Sequence, residues 1–447
     1  MSQAVKNKGW SVMMAGLGIN LALGILYTWS VFKGAIAESI TTGGEGGFAW
    51  DMAKLNDPYA VACLVFAFSM ILAGKCQDKL GPRLTAMAGG VLVGLGFIWI
   101  SQTTSYAAWV LGFGVLAGAG IGFGYSSATP PALKWFPAAK TGLIAGLVVS
   151  GFGLASVYIA PLAQYLVRGV GLQQSMMIFG VSFLVVVSLL SLFLHNPPQG
   201  YVPAGAPGAT ANKAPVADKN VLPMQMLRSG SFWKLWVIYF IGAGAGLMVI
   251  GNVAEMAKTS MGEAAFAAVA IMAIGNAAGR VVAGIMSDKI GRSNTLLIML
   301  VLQALLMAAC IPVVGSQHSS APLLVLLATF IGFNYGTNLS LFPSFSKDLW
   351  GLKNFGINYG LLFTSWGAGG FVMSRLSQMV MASTGSYASS FMVAGMLLVI
   401  GAMVTLTLKP KAATEPLPDV IYQPLLGATM ADGGERIEEQ DIEQHSK

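Results

Sequence analysis

The chain has 447 residues and a mass of 46.6 kDa, and 55% of its positions are apolar while only 10% are charged, against about 25% charged in an ordinary soluble domain. So few charges cannot solvate the outer faces of the roughly three domains that this length would give in water, which excludes a soluble globular protein. The net charge of +7 need not mark a nucleic-acid partner, because basic residues of a membrane protein collect in the loops on one side.

Runs of nearly uncharged residues, each long enough to cross about 30 Å of hydrocarbon as a helix, lie near 10–32, 57–74, 84–101, 107–130, 141–166 and 172–194. A second set lies near 235–256, 264–286, 294–314, 321–342, 356–380 and 386–408, which makes twelve predicted spans in two sets of six. The first run follows Lys6 and Lys8 like a signal peptide, but it is too long for an h-region and no small-residue cleavage site follows. The sequence therefore predicts an all-α, polytopic membrane protein with an N-terminal bundle over 1–194, a Pro-rich linker over 195–230, a C-terminal bundle over 231–409 and an acidic, disordered tail over 410–447. Its 56 glycines suit close helix packing in a bilayer, and Cys63, Cys76 and Cys310 have neither disulfide nor metal-ligand spacing. No metal and no organic cofactor is expected.

The basic residues set an orientation. With the N-terminus inside, nineteen Lys and Arg fall in inner segments, four (Lys33, Lys54, Arg168 and Lys258) fall outside, and Arg280 and Arg375 lie within spans. This asymmetry predicts that both termini are cytoplasmic in an inner-membrane protein.

A duplication is visible in the loops. Ala73-Gly74-Lys75-Cys76-Gln77-Asp78-Lys79-Leu80-Gly81, after span 2, shares A-G-x-x-x-D-K-x-G with Ala283 to Gly291, after span 8, and the same offset carries Ile121-Gly122-Phe123 and Tyr125 onto Ile331-Gly332-Phe333 and Tyr335. The loop motif G-x-x-x-D-(K/R)-x-G-(x)-R, completed by Arg83 and Arg292, resembles that of the major facilitator superfamily. That resemblance implies two pseudo-symmetric six-helix bundles that alternate access to a central site, with Asp78, Arg83, Asp288 and Arg292 as gating and interface residues.

A charge deep in a bilayer costs at least a few kcal/mol and is usually retained for function. Arg280 is eight residues before Asp288, about 12 Å up the helix, and Asn276 one turn away shares its face. Together they offer the donors a carboxylate needs; snorkelling to the interface is the competing reading, opposed by the depth. Arg375 and Arg168 lie nearer span ends, where snorkelling or a gate role fits. Spans 3 to 6 hold no carboxylate, Glu255 and Glu263 sit at outer span ends, and no His lies in a span, so an anionic substrate is expected rather than a cation, and no catalytic nucleophile or base is evident.

Tyr27, Tyr125, Tyr335 and Phe363 are candidate pocket walls with Ser365 beside them, the repeat-related Tyr125 and Tyr335 flanking the pseudo-twofold axis. Leu23 to Phe32, Lys134-Trp135-Phe136-Pro137 and Asn354 to Phe363 resemble the oxalate/formate antiporter and monocarboxylate transporter branch. The resemblance implies that Arg280 binds the substrate carboxylate and that a proton is co-transported. Animal members carry Asp where this chain has Asn276, and oxalate carriers carry a span 11 Lys where it has Trp366. One central cation suits a monocarboxylate such as L-lactate, since a dianion would leave a charge unpaired. An oxalate/formate-type exchanger and a non-transporting sensor remain the alternatives, and an ancillary subunit is left open.

Overall fold

The computed structural model describes residues 7–43, 46–137, 140–198, 201–203, 220–314 and 320–408. Half of the expected linker and the whole expected tail from 410 lie outside the described residues. Among those residues there is no strand, as expected where every backbone group must be satisfied without water and only helices or closed barrels can span.

Twelve long helices follow in order: α1 (Gly9–Thr42), α2 (Asp57–Leu80), α3 (Pro82–Ile100), α4 (Tyr106–Trp135), α5 (Thr141–Val170), α6 (Leu172–Ser191), α7 (Gly230–Lys258), α8 (Gly262–Ile290), α9 (Arg292–Val314), α10 (Ala321–Trp350), α11 (Phe355–Thr384) and α12 (Ala388–Leu406). Eleven of them are apolar enough along their length to cross a membrane by composition. The twelfth, α11, carries Asn358, Ser365, Ser374 and Ser377, all buried at 0–1% exposure, so its polar side chains face protein rather than lipid and its lower hydropathy is no obstacle to spanning.

Two six-helix bundles result, α1–α6 and α7–α12. Within them α3 packs on α6 and α9 on α12, and these four turn large apolar side chains outward, among them Leu95, Leu189, Leu305 and Met403. Such a contiguous apolar exterior is what a lipid-facing surface requires. The bundles meet along two crossed pairs, α2 with α11 and α5 with α8.

Local breaks position the interior. A 3-10 turn, Gly24–Thr28, interrupts α1 and holds Tyr27. Gly24 is needed there, since a Cβ on it would lie 2.5 Å from the Phe152 carbonyl oxygen of α5. The loops after α2 and α8 turn on Gly81 (φ 88°) and Gly291 (φ 90°), in the region that only glycine enters without cost.

Candidate functional site

The two bundles close on each other at both ends. At the end carrying Asp78 and Asp288, here the motif end, each aspartate serves a helix of the opposite bundle. Asp288 accepts the backbone N–H of Gly142 at 3.2 Å and of Leu143 at 3.1 Å, capping the N-terminus of α5, where a negative charge also meets the positive end of the helix dipole. Asp78 accepts the N–H of Ile357 at 3.4 Å in the first turn of α11.

The arginines of the motif are not equivalent. Arg292 bonds Asp288 at 2.5 Å and Asp348 at 3.0 Å, whereas Arg83 contacts His195 of its own bundle. The cause is one residue: Pro82 places Arg83 five residues after Asp78, while Arg292 is four after Asp288, and one residue swings a helical side chain by about 100°. Sequence reasoning gave all four the same role; the structure brings three of them to the seam between bundles.

Close backbone approach completes that end. A Cβ on Gly142 would lie 2.4 Å from the Gly284 carbonyl oxygen, and one on Gly74 2.3 Å from that of Gly356. The opposite, far end is held by ion pairs between bundles: Lys33 with Glu255 at 2.8 Å, Arg375 with Asp57 at 2.6 Å and Arg168 with Glu263 at 2.8 Å. Lys33 is 7% exposed and Glu255 39%, against 54% and 84% for Arg168 and Glu263, so the first pair carries more of the closure.

Arg280 lies between these ends, fully buried. Its Nε donates to Asn276 Oδ1 at 3.0 Å, one Nη to the Val149 carbonyl of α5, and the other Nη to the Tyr27 hydroxyl at 3.4 Å. Its guanidinium carbon stands 6.0 Å from the Phe152 ring centroid, at the outer range of a cation–π contact. Tyr27 and Tyr335 share a hydrogen bond of 2.5 Å, and Trp366 Nε1 donates to the Tyr335 oxygen at 2.8 Å. Helices α1, α5, α8, α10 and α11 thus meet in one network that spans both bundles.

Donor counting shows what the network can still do. A guanidinium has five N–H groups; three are engaged, which leaves one on each Nη among the described residues. The two phenols have two protons and one bond between them, so one O–H remains as well. No carboxylate lies within ion-pair distance of Arg280 among the described residues. A buried cation with two adjacent free N–H groups is a bidentate receptor for a carboxylate.

Of the sequence candidates, Arg280, Asn276, Tyr27 and Tyr335 come together directly. Phe363 stacks on Trp366 at 4.9 Å and walls the site. Ser365 is buried but its hydroxyl donates to the Leu362 carbonyl of its own helix at 2.6 Å, so it offers no proton to a ligand. Tyr125 packs on Phe66, Phe152 and Phe363 and makes no hydrogen bond to the network. Trp366, one turn from Phe363 on the same face and an aromatic that the sequence places beside it in span 11, belongs to the site through its bond to Tyr335. Phe152 and the Val149 carbonyl also belong to it and were not among the sequence candidates; a ring and a backbone oxygen on α5 carry no chemical signature.

A central cation between two six-helix bundles that close at both ends is the arrangement of a membrane transporter. The chain belongs to the major facilitator superfamily, whose family model matches residues 9–272 and 251–422. It is 29% identical to an uncharacterized MFS-type transporter of Escherichia coli over 80% of this chain and 85% of that one. It is 27% identical to the oxalate:formate antiporter of Oxalobacter formigenes over 80% and 81%, and 28% identical to monocarboxylate transporter 13 of Rattus norvegicus over 90% and 89%. The human organic anion transporter MFSD10 shares the fold, with a TM-score of 0.63 at 16% identity, covering 90% of this chain and 100% of that one.

Proposed function

We propose that this transporter carries a small monocarboxylate of the L-lactate or pyruvate kind across the inner membrane, with both termini in the cytoplasm and a proton co-transported. The observation that carries the reading is the fully buried Arg280, which among the described residues has no acidic partner and keeps one free N–H on each Nη. The substrate carboxylate takes those two donors, and the remaining phenol proton of Tyr27 or Tyr335 reaches its 2-hydroxyl or 2-oxo group. Phe152, Phe363 and Trp366 supply the apolar walls that a short carbon chain needs.

Trp366 also speaks against a dianion. Its indole is committed to Tyr335, so a second carboxylate would meet an aromatic wall with no cation to pair it. The similarity to an oxalate:formate antiporter supports organic anions as a class; the single cation favours one carboxylate.

The coupled proton rides on Glu255. With the far end closed, Glu255 pairs with Lys33, which also donates to Asn252 Oδ1, and lies next to the Tyr387 hydroxyl. Opening that end separates α1 from α7, removes the Lys33 charge and leaves Glu255 ready to take a proton. Wild-type proteoliposomes should accumulate L-lactate when an inward proton gradient is imposed, and Glu255→Gln should keep lactate exchange but lose gradient-driven accumulation. Exchange without net uptake by the wild type would instead favour an antiporter.

A further inference from the structure

A second group of polar side chains lies buried outside the Arg280 network. Tyr125 on α4, Tyr239 on α7 and Tyr359 on α11 are 2%, 0% and 4% exposed. None of their hydroxyls reaches full hydrogen-bond geometry with a partner among the described residues, although Tyr359 lies close enough to interact with both Tyr125 and Tyr239. A buried hydroxyl without a partner is costly, and three that converge from both bundles are aimed at a common point.

Their position along the chain fixes where that point is. Tyr239 follows Gly230 by nine residues, Tyr359 follows Phe355 by four and Tyr125 precedes Trp135 by ten, all counted from the motif end. Tyr27 follows Gly9 by eighteen and Tyr335 precedes Trp350 by fifteen. At 1.5 Å per residue the trio sits about 8–21 Å, roughly one and a half to four helical turns, nearer the motif end than the Tyr27–Tyr335 pair. Phe363 separates the two groups: all three tyrosine rings contact it at 5.6–5.9 Å, and its other ring neighbours include Trp366 and Phe66.

We propose that the Tyr125, Tyr239 and Tyr359 hydroxyls form a second, transient carboxylate site between Arg280 and the motif end. The proposal rests on the carboxylate reading above. A carboxylate leaving Arg280 in that direction has to pass the Phe66, Phe152 and Phe363 rings, where it would lose its donors. Three O–H groups without a cation meet it there, strongly enough to receive it and weakly enough to release it, as conduction through successive sites requires. The engagement is by hydrogen bonds alone, so nothing traps the anion short of the exit.

The test uses Tyr239→Phe, Tyr359→Phe and the double variant, which keep the rings and remove only unpaired hydroxyls. L-lactate binding to the purified full-length protein, lactate exchange in proteoliposomes and the thermal unfolding midpoint are measured on each. The expected result is binding within about twofold of wild type, exchange at least tenfold slower in the double variant and an unfolding midpoint equal or higher, because an unpaired buried hydroxyl is lost. A structural role would lower the midpoint and would overturn the proposal, as would a double variant that exchanges at the wild-type rate or one whose binding falls in step with its rate. Failure of the wild type itself to bind lactate counts against the monocarboxylate reading instead; the variants are then compared on formate and oxalate, and an unslowed double variant still overturns the transit site.

Discussion

Replacing Gly284 by Ala should hold the motif end open. The new Cβ would lie 2.4 Å from the Gly142 carbonyl oxygen and 2.9 Å from its carbon, where about 3.4 Å is ordinary contact, so α5 and α8 must part by about 1 Å. Backbone cannot rotate away as a side chain can, and overpacking of this kind costs about 1–3 kcal/mol. That cost applies only with the motif end closed, whereas the gain in helix propensity from Gly to Ala applies in every state and cancels. The closed population therefore falls about 5- to 150-fold relative to the open one. Spin labels at Leu80 and Ile290, both exposed at the motif end on opposite bundles, report the separation in lipid nanodiscs once Cys63, Cys76 and Cys310 are replaced. The variant should shift the distance distribution to longer values and slow transport, while Gly169→Ala, whose Cβ meets nothing within 4 Å, should do neither. An unchanged distribution in Gly284→Ala would refute the close approach of α5 and α8 as the closing contact.

The other perturbations concern charges at the two ends. Lys33→Met should open the far end more than Arg168→Met does, because the Lys33–Glu255 pair is the less exposed of the two; a double-mutant cycle of Lys33→Met with Glu255→Gln on the far-end open population, read from spin-label distances, should show coupling of about 1 kcal/mol or more, and additivity would contradict the pair. Asp288→Asn should impair transport more than Asp78→Asn, since Asp288 holds two backbone N–H groups and Arg292 whereas Asp78 holds the N–H of Ile357 at 3.4 Å; equal losses would argue against this asymmetry. Trp366→Lys removes the donor to Tyr335 and brings a second cation toward Arg280, so the variant should lose thermal stability, regain it on adding oxalate and take up oxalate in place of lactate. No response to oxalate in either measurement would count against the one-cation, one-carboxylate logic.

Much of the fold is legible in the sequence because a bilayer leaves the backbone few choices. The span near 57–74 and the helix Asp57–Leu80 share a start, and the later end reflects a helix that continues past the apolar run to its glycine cap at Gly81. Helix α1 likewise continues beyond residue 32 to Thr42, carrying Lys33 to its partner on α7. Arg280 and Asn276 are legible because polar groups at that depth are rare. Tyr125 is not placed by the repeat that places Tyr335, because the halves have diverged around it: the offset that pairs the two tyrosines sets Arg280 opposite Met70 and Asn276 opposite Phe66, so only one bundle supplies the cation and its amide. Ser365 illustrates a different limit, for a serine on a helix can satisfy itself on a carbonyl three or four residues back, and sequence does not say when it does. The Pro82 insertion was present in the motif from the start, yet its effect on Arg83 follows only from helix geometry.

The central claim is that Arg280 receives the carboxylate, and the direct measurement is uptake of radiolabelled L-lactate by proteoliposomes under an imposed inward proton gradient, wild type against Arg280→Ala. Two charge-assisted hydrogen bonds at about 1.5–3 kcal/mol each correspond to a loss of about 10²- to 10⁴-fold in kcat/KM, with the purified variant still folded and monodisperse. Saturable uptake at the wild-type level by Arg280→Ala would contradict the account.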